Sequence, residues 1–189
     1  MNHDDHVALI RGAFLSDVAG TPRVWADFGA GSGAFTLAIR DLVGPEADIY
    51  AVDQDRSALE SLRGAMRRTF PETYLHLLDG DIRRPPELPP LDGIVAANSL
   101  HYVDRKQQAP TLQRWSRLLK SGGRIVLVEY DSNDPTYWLP YPVSFERLGR
   151  VARDAGLASP VLLGEHPSRW GGGIYSAMIE LEPTESSNL

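Results

Sequence analysis

The chain has 189 residues, 42% of them hydrophobic and 23% charged, which fits a single domain spanning 1–189 with a full core. Its net charge of −6 disfavours nucleic acid and anionic membrane as partners, and the absence of cysteine excludes disulfides, thiolate metal sites and a thiol nucleophile. No segment approaches the roughly 20 apolar residues of a membrane span, and the acidic start Met1-Asn-His-Asp-Asp-His6 does not read as a signal peptide, so a cytoplasmic protein is expected.

Apolar residues at helical spacing (Leu9, Ile10, Phe14, Leu15, Val18) predict an amphipathic first helix over Val7 to Val18, within a cap segment of residues 1–20 that Thr21-Pro22 closes. A first strand follows at Val24 to Phe28, then a glycine turn, then a helix over Ala34 to Val43 stopped by Gly44-Pro45. The second strand is Ile49 to Val52. The next helix reaches about Phe70, with Ser57-x-x-Glu60 at capping-box spacing and Asp55 well placed as N-cap. Tyr74 to Leu78 reads as the third strand, Gly93 to Ala97 as the fourth, Arg105 to Leu119 as a helix, and Arg124 to Tyr130 as the fifth strand opened by Gly122-Gly123. Val143 to Ala155 is helical, with Gly156 as its C-cap. Two more strands, Pro160 to Leu163 and Ile174 to Leu181, have no helix between them and read as an antiparallel hairpin at one edge; residues 184–189 read as a frayed tail.

Strands one to five alternate with helices, the pattern of right-handed β-α-β units and a parallel sheet. Within it, Gly29, Gly31 and Gly33 strip side chains from the turn after the first strand, so backbone N–H groups approach a ligand closely. The following helix aims its positive end at the same place, which makes a cradle for a nucleotide-type cofactor.

Several motifs together resemble one family. The loop Asp27-x-Gly-x-Gly-x-Gly33 carries an acid two residues before its first glycine, and Asp53 ends the second strand. Gly80-Asp81 ends the third strand, Asp92-Gly-Ile-Val-Ala-Ala-Asn98 forms the fourth, and Leu119-Lys-Ser-Gly-Gly-Arg-Ile-Val-Leu-Val128 enters the fifth. Over roughly Val24 to Glu182 the chain resembles the class I S-adenosylmethionine-dependent methyltransferases. A dinucleotide-binding fold would want Gly-x-Gly-x-x-Gly, and here the third glycine comes one residue early.

The resemblance implies a Rossmann-like α/β fold: seven strands, mostly parallel, the last antiparallel, with helices on both faces. It implies S-adenosyl-L-methionine as cofactor, leaving as S-adenosyl-L-homocysteine. By position, Asp27 would accept from the cofactor ammonium, and the backbone from Gly29 through Ala30 and Gly31 to Gly33 would meet its carboxylate. Asp53, with Gln54 beside it, would accept from the ribose hydroxyls, and Asp81 with Ile82 would hold the adenine. Asn98 and Ser99 would stand near the methionine portion. Plainer roles are open: a turn cap for Asp27, a helix cap for Asp53, positive-φ geometry for the glycines.

After the fourth strand comes Asn98-Ser-Leu-His-Tyr-Val103, unlike the Asn-Pro-Pro-Tyr sequence of amino-group methylases of nucleic acids. His101 is the histidine nearest the expected methyl position and is a candidate base, with Tyr102 beside it; packing is the alternative for both. Tyr130, Trp138 and Tyr141, stiffened by prolines, are candidate walls of a small-molecule pocket, and Arg169 a candidate grip for an acceptor anion. The arginines at 63, 67, 68, 83 and 84 lack interleaved aromatics and read as solvated faces, and no metal triad is apparent. The expected activity is methyl transfer to an O, N or C nucleophile of a small molecule by a monomer or homodimer. A non-catalytic cofactor-binding partner and, further off, a nicotinamide oxidoreductase are the alternatives.

Overall fold

A computed structural model describes residues 1–15, 23–168 and 172–182. The elements in chain order are α1 (His3–Ile10), β1 (Val24–Phe28), α2 (Ala34–Val43), β2 (Asp48–Asp53), α3 (Arg56–Thr69), β3 (Tyr74–Asp79), β4 (Leu91–Ala97), α4 (Arg105–Ser116), β5 (Leu119–Tyr130), α5 (Phe145–Asp154), β6 (Val161–Pro167) and β7 (Gly173–Glu180). The strands form one sheet in the order β3-β2-β1-β4-β5-β7-β6. β1 to β5 pair in parallel, and β7 runs antiparallel to both β5 and β6.

Successive side chains of the central strands alternate between two cores, as the two-residue strand period requires. On one face Ala26, Phe28, Ile94, Ala96, Ile125 and Leu127 pack with Leu112 and Trp115 of α4 and with Leu148 and Val151 of α5. On the other, Trp25, Val95, Val126 and Val128 pack with α1 and with Phe35, Ala38 and Ile39 of α2. Helices therefore cover both faces, and the near-continuous apolar runs of β4 and β5 reflect burial on both sides. The order reverses between β1 and β4, where β1 and α2 turn one way and β4 and α4 the other; this is the crevice position of a doubly wound sheet.

Several boundaries differ from expectation. α1 ends at Ile10, and a 3₁₀ turn over Arg11–Phe14 follows, so the α-helical reading to Val18 does not hold over 11–14; residues 16–18 lie outside the described region. Asp55 caps α3 as its position suggested, its side chain accepting from the N–H groups of Ser57 and Ala58. α4 stops at Ser116 because the chain must turn to pair Leu119 with Leu91, so β5 starts five residues before Arg124 and crosses a bulge. β6 extends to Pro167.

Candidate functional site

β1 delivers the chain into the glycine loop beside the end of β4. Gly29 has φ +76°, and a Cβ there would lie 2.5 Å from Cβ of Ser99, so no side chain fits. Ser99 completes the joint by donating from Oγ to the Phe28 carbonyl at 3.0 Å. At the other end of the loop Gly33 (φ +93°) is the N-cap of α2, where a Cβ would run into Leu62 of α3.

The loop is more tightly bonded than its sequence suggests. Gly29 and Ala30 both donate to the Val52 carbonyl, at 2.8 and 3.2 Å, and Gly33 donates to that of Ala30 at 2.9 Å. Gly31 donates to Asp53 Oδ2 at 2.7 Å. These four N–H groups therefore hold the loop to β2 and to itself, rather than pointing unpaired at a ligand. Among the described residues no partner is found for the N–H groups of Ser32, Ala34 and Phe35 at the positive end of α2.

Asp27 is 1% exposed and accepts from Thr36 Oγ1 at 2.6 Å, which straps β1 to the first turn of α2. Burial pushes its carboxyl up to about 7, the Thr36 hydrogen bond opposes this, and the nearby Asp53 charge adds to it. Asp53, at the tip of β2, also accepts from the Asp55 N–H through Oδ1 at 2.8 Å. Asp81 is held by its neighbour: Arg83 donates from its backbone N–H at 2.8 Å and from Nε at 2.9 and 3.0 Å. That hydrogen-bonded guanidinium holds the Asp81 carboxyl below the usual carboxylate range.

Beyond the carboxyl ends of β1 to β4 lies a cleft of about 390 Å³. Gly29, Asp53, Gln54, Asp81 and Ile82 form one part of its wall, and Asn98, Ser99 and Tyr102 another. Of the expected cofactor residues, Asp27, Ala30, Gly31 and Gly33 do not line it. Gly80, Arg83 and Val103 also line it. Arg83 is solvated, as a basic pair in a proline-rich loop reads, and it reaches the rim of the cleft through its pairing with Asp81. Asn98 has φ +50°, rare for a residue with a side chain, and its Oδ1 is buried without a partner.

His101 does not line the cleft. It is buried in the 3₁₀ turn Leu100–Tyr102, with Nδ1 2.6 Å from Oε2 of Glu129, a residue not expected to matter. Tyr130 and Trp138 meet edge to face at 5.0 Å between centroids and line a second hollow of about 250 Å³ with Asp131, Thr136 and Leu139. Tyr141 is not among its walls: its N–H donates to the His101 carbonyl at 3.0 Å and its carbonyl accepts from Gln108, so it serves as a brace. Arg169 lies outside the described residues.

A family model described as "Methyltransferase domain" matches residues 26–123, more than half of the chain. The chain belongs to this methyltransferase domain family. The matched residues run from the glycine loop to the entry of β5 and so contain every named wall of the cleft. An uncharacterized methyltransferase of Geobacillus sp. (strain WCH70) is 26% identical over 131 residues, 69% of this chain and 54% of that protein, so the chain spans about half the length of the curated relative it matches. An S-adenosylmethionine-dependent methyltransferase from Clostridium acetobutylicum superposes with a TM-score of 0.71 at 13% identity, over 96% of this chain and 93% of that one. The Burkholderia thailandensis 1,6-didemethyltoxoflavin-N1-methyltransferase, solved with its acceptor and S-adenosylhomocysteine, gives 0.73 at 18% identity, over 95% and 78%. At these identities the structures establish the methyltransferase fold.

Proposed function

We propose that this methyltransferase-family chain binds S-adenosylmethionine in the cleft beyond β1 to β4 and transfers its methyl group to an O, N or C nucleophile of a small molecule. One observation carries the reading. Asn98, with its positive φ, stands on the wall of the cleft with an Oδ1 that is buried without a partner, and the other walls include a carboxylate at the tip of β2 and another after β3. An amide oxygen left without a partner is costly unless a donor arrives with a ligand, and an ammonium is such a donor.

The chain's residues divide the work. Asp53 keeps acceptor capacity for ribose hydroxyls after binding Gly31 and Asp55, since an ionised carboxylate offers about four lone-pair sites. Asp81, preset by Arg83, faces the adenine side with Ile82. The unpaired N–H groups of Ser32 and Ala34 suit a carboxylate at the helix end. Asp27 acts from behind the loop by fixing α2 through Thr36. When bound, the cofactor supplies a methyl group already activated by the sulfonium charge, so alignment provides much of the acceleration.

The hollow at Tyr130 and Trp138 suits the acceptor, and the neighbour solved with bound 1,6-didemethyltoxoflavin supports a small-molecule class. The net charge of −6 supports a partner other than nucleic acid, no helix among the described residues is long and apolar enough to cross a membrane, and a cysteine-free chain suits the cytoplasm, as a monomer or homodimer. Titration calorimetry tests the reading. Micromolar binding of S-adenosylhomocysteine, lost with Asn98→Ala and absent for NAD, is expected; equal heats for both ligands, or none, would refute it.

A further inference from the structure

Glu129, at the end of β5, is fully buried and belongs to neither hollow's wall. Its Oε1 accepts from the N–H groups of Leu100 at 2.9 Å and His101 at 3.3 Å, and its Oε2 lies 2.6 Å from His101 Nδ1. A carboxylate withdrawn from water needs such donors. With Oε1 taken by two backbone N–H groups, Oε2 is the acceptor and Nδ1 the donor, so in the neutral ring the lone pair is on Nε2. The imidazole stands between the two hollows. Tyr102 of the cofactor cleft lies 4.4 Å from it and Tyr130 of the second hollow 6.3 Å, centroid to centroid. His101 is 2% exposed and its ring neighbour Tyr102 61%, so a rotamer change of Tyr102, which exposed side chains make in picoseconds to nanoseconds, would bare more of the imidazole.

We propose that Glu129 is a positioning residue that holds His101 as proton acceptor for the methyl acceptor, a small aromatic molecule with an ionisable O–H or N–H seated against Tyr130 and Trp138. This rests on the methyl-transfer reading above. The acceptor's oxygen or nitrogen lone pair forms the new bond to the methyl carbon, the carbon–sulfur pair stays on sulfur, and the acceptor's proton passes to Nε2. The imidazolium so formed faces the Glu129 carboxylate, as a base held by an orienting acid does.

Two experiments separate this role from a purely structural tie between β5 and the turn after β4. Long-range ¹H–¹⁵N correlation of the imidazole in the protein without cofactor should show the Nδ1–H tautomer. Glu129→Gln, which presents an amide N–H to Nδ1, should move the proton to Nε2. An Nε2–H ring in the wild type, or the same tautomer in the variant, overturns the proposal. Transfer of labelled methyl from S-adenosylmethionine to a panel of catechols, phenols and anilines is the second. Glu129→Gln should lower kcat about 100-fold with cofactor affinity kept, and the loss should shrink for nitrophenols that are already ionised. An unchanged kcat, or an equal loss across the panel, overturns it. A wild-type protein that retains the cofactor yet methylates no member defeats the methyl-transfer reading and the acceptor class with it, while the tautomers still judge the dyad.

Discussion

Asp53 holds the glycine loop from across the sheet: its Oδ2 takes the Gly31 N–H at 2.7 Å, tying the tip of β2 to the turn after β1. Asp53→Ala therefore removes a loop anchor as well as the proposed ribose acceptor. Cofactor affinity should fall by about 1 to 3 kcal/mol, and the unliganded protein should melt earlier as Gly31 loses its acceptor. Calorimetry and thermal denaturation measure the two effects; unchanged affinity defeats the ribose assignment.

The buried Asp27 gives the fold an unusual pH dependence. Its folded-state pKa of about 7 lies above its ordinary value of 3.8, so folding favours the protonated form. The stability from this group is complete below about pH 4 and is lost as pH rises through about 7, by up to about 4 kcal/mol. Asp27→Asn keeps an acceptor for Thr36 and has no charge to bury. Denaturant titrations at pH 5 and 8 should show the variant gaining on the wild type at the higher pH; parallel stabilities at both would refute the burial argument.

At Gly29 the prediction is steric. An alanine there meets both a positive φ and Ser99 Cβ at 2.5 Å. Gly29→Ala should destabilise the protein by about 1 to 3 kcal/mol and widen the joint between the ends of β1 and β4. Ser99→Gly, which removes the opposing Cβ, should recover part of the loss in the double variant. Strictly additive losses would assign the cost to backbone strain alone.

Arg83 already bonds both oxygens of Asp81, the carboxylate proposed to face the adenine. Removing Arg83 frees Oδ1 and Oδ2 for an adenine amino group, while removing Asp81 takes away the acceptor. Asp81→Ala should weaken S-adenosylhomocysteine binding by about 1 kcal/mol, with Arg83→Ala moving affinity less and the double variant resembling Asp81→Ala. Equal affinity for wild type and Asp81→Ala would remove this residue from the adenine site.

The strand, glycine loop and helix from Val24 to Val43 were legible because apolar periodicity and punctuation agree there. The entry to β5 was not. Gly122-Gly123 reads as the start of a strand, but the pairing of Leu119 with Leu91 is a property of the neighbouring strand's register. Asp27 read as a ligand acceptor because nothing in its surroundings announces Thr36 nine residues on as its partner. The glycine loop read as open because the Val52 carbonyl and the Asp53 carboxylate that close it arrive from another strand. Nothing near Glu129 in the sequence marks it as a partner of a histidine. Its partnership with His101, 28 residues away, exists only because β4 and β5 are adjacent.

The order β5-β7-β6 means that β6 joins the sheet only through β7, the later of the two in the chain. Ser176 of β7 also donates from Oγ to the Leu9 carbonyl of α1 at 2.5 Å, across 167 positions. As a nascent polypeptide leaves the ribosome, α1 and α2 can pack on β1 to β5 before β7 arrives to take the Leu9 carbonyl. A chain that stalls before β7 would consequently leave the outer edge of β5 unpaired, a template for strand addition by another polypeptide.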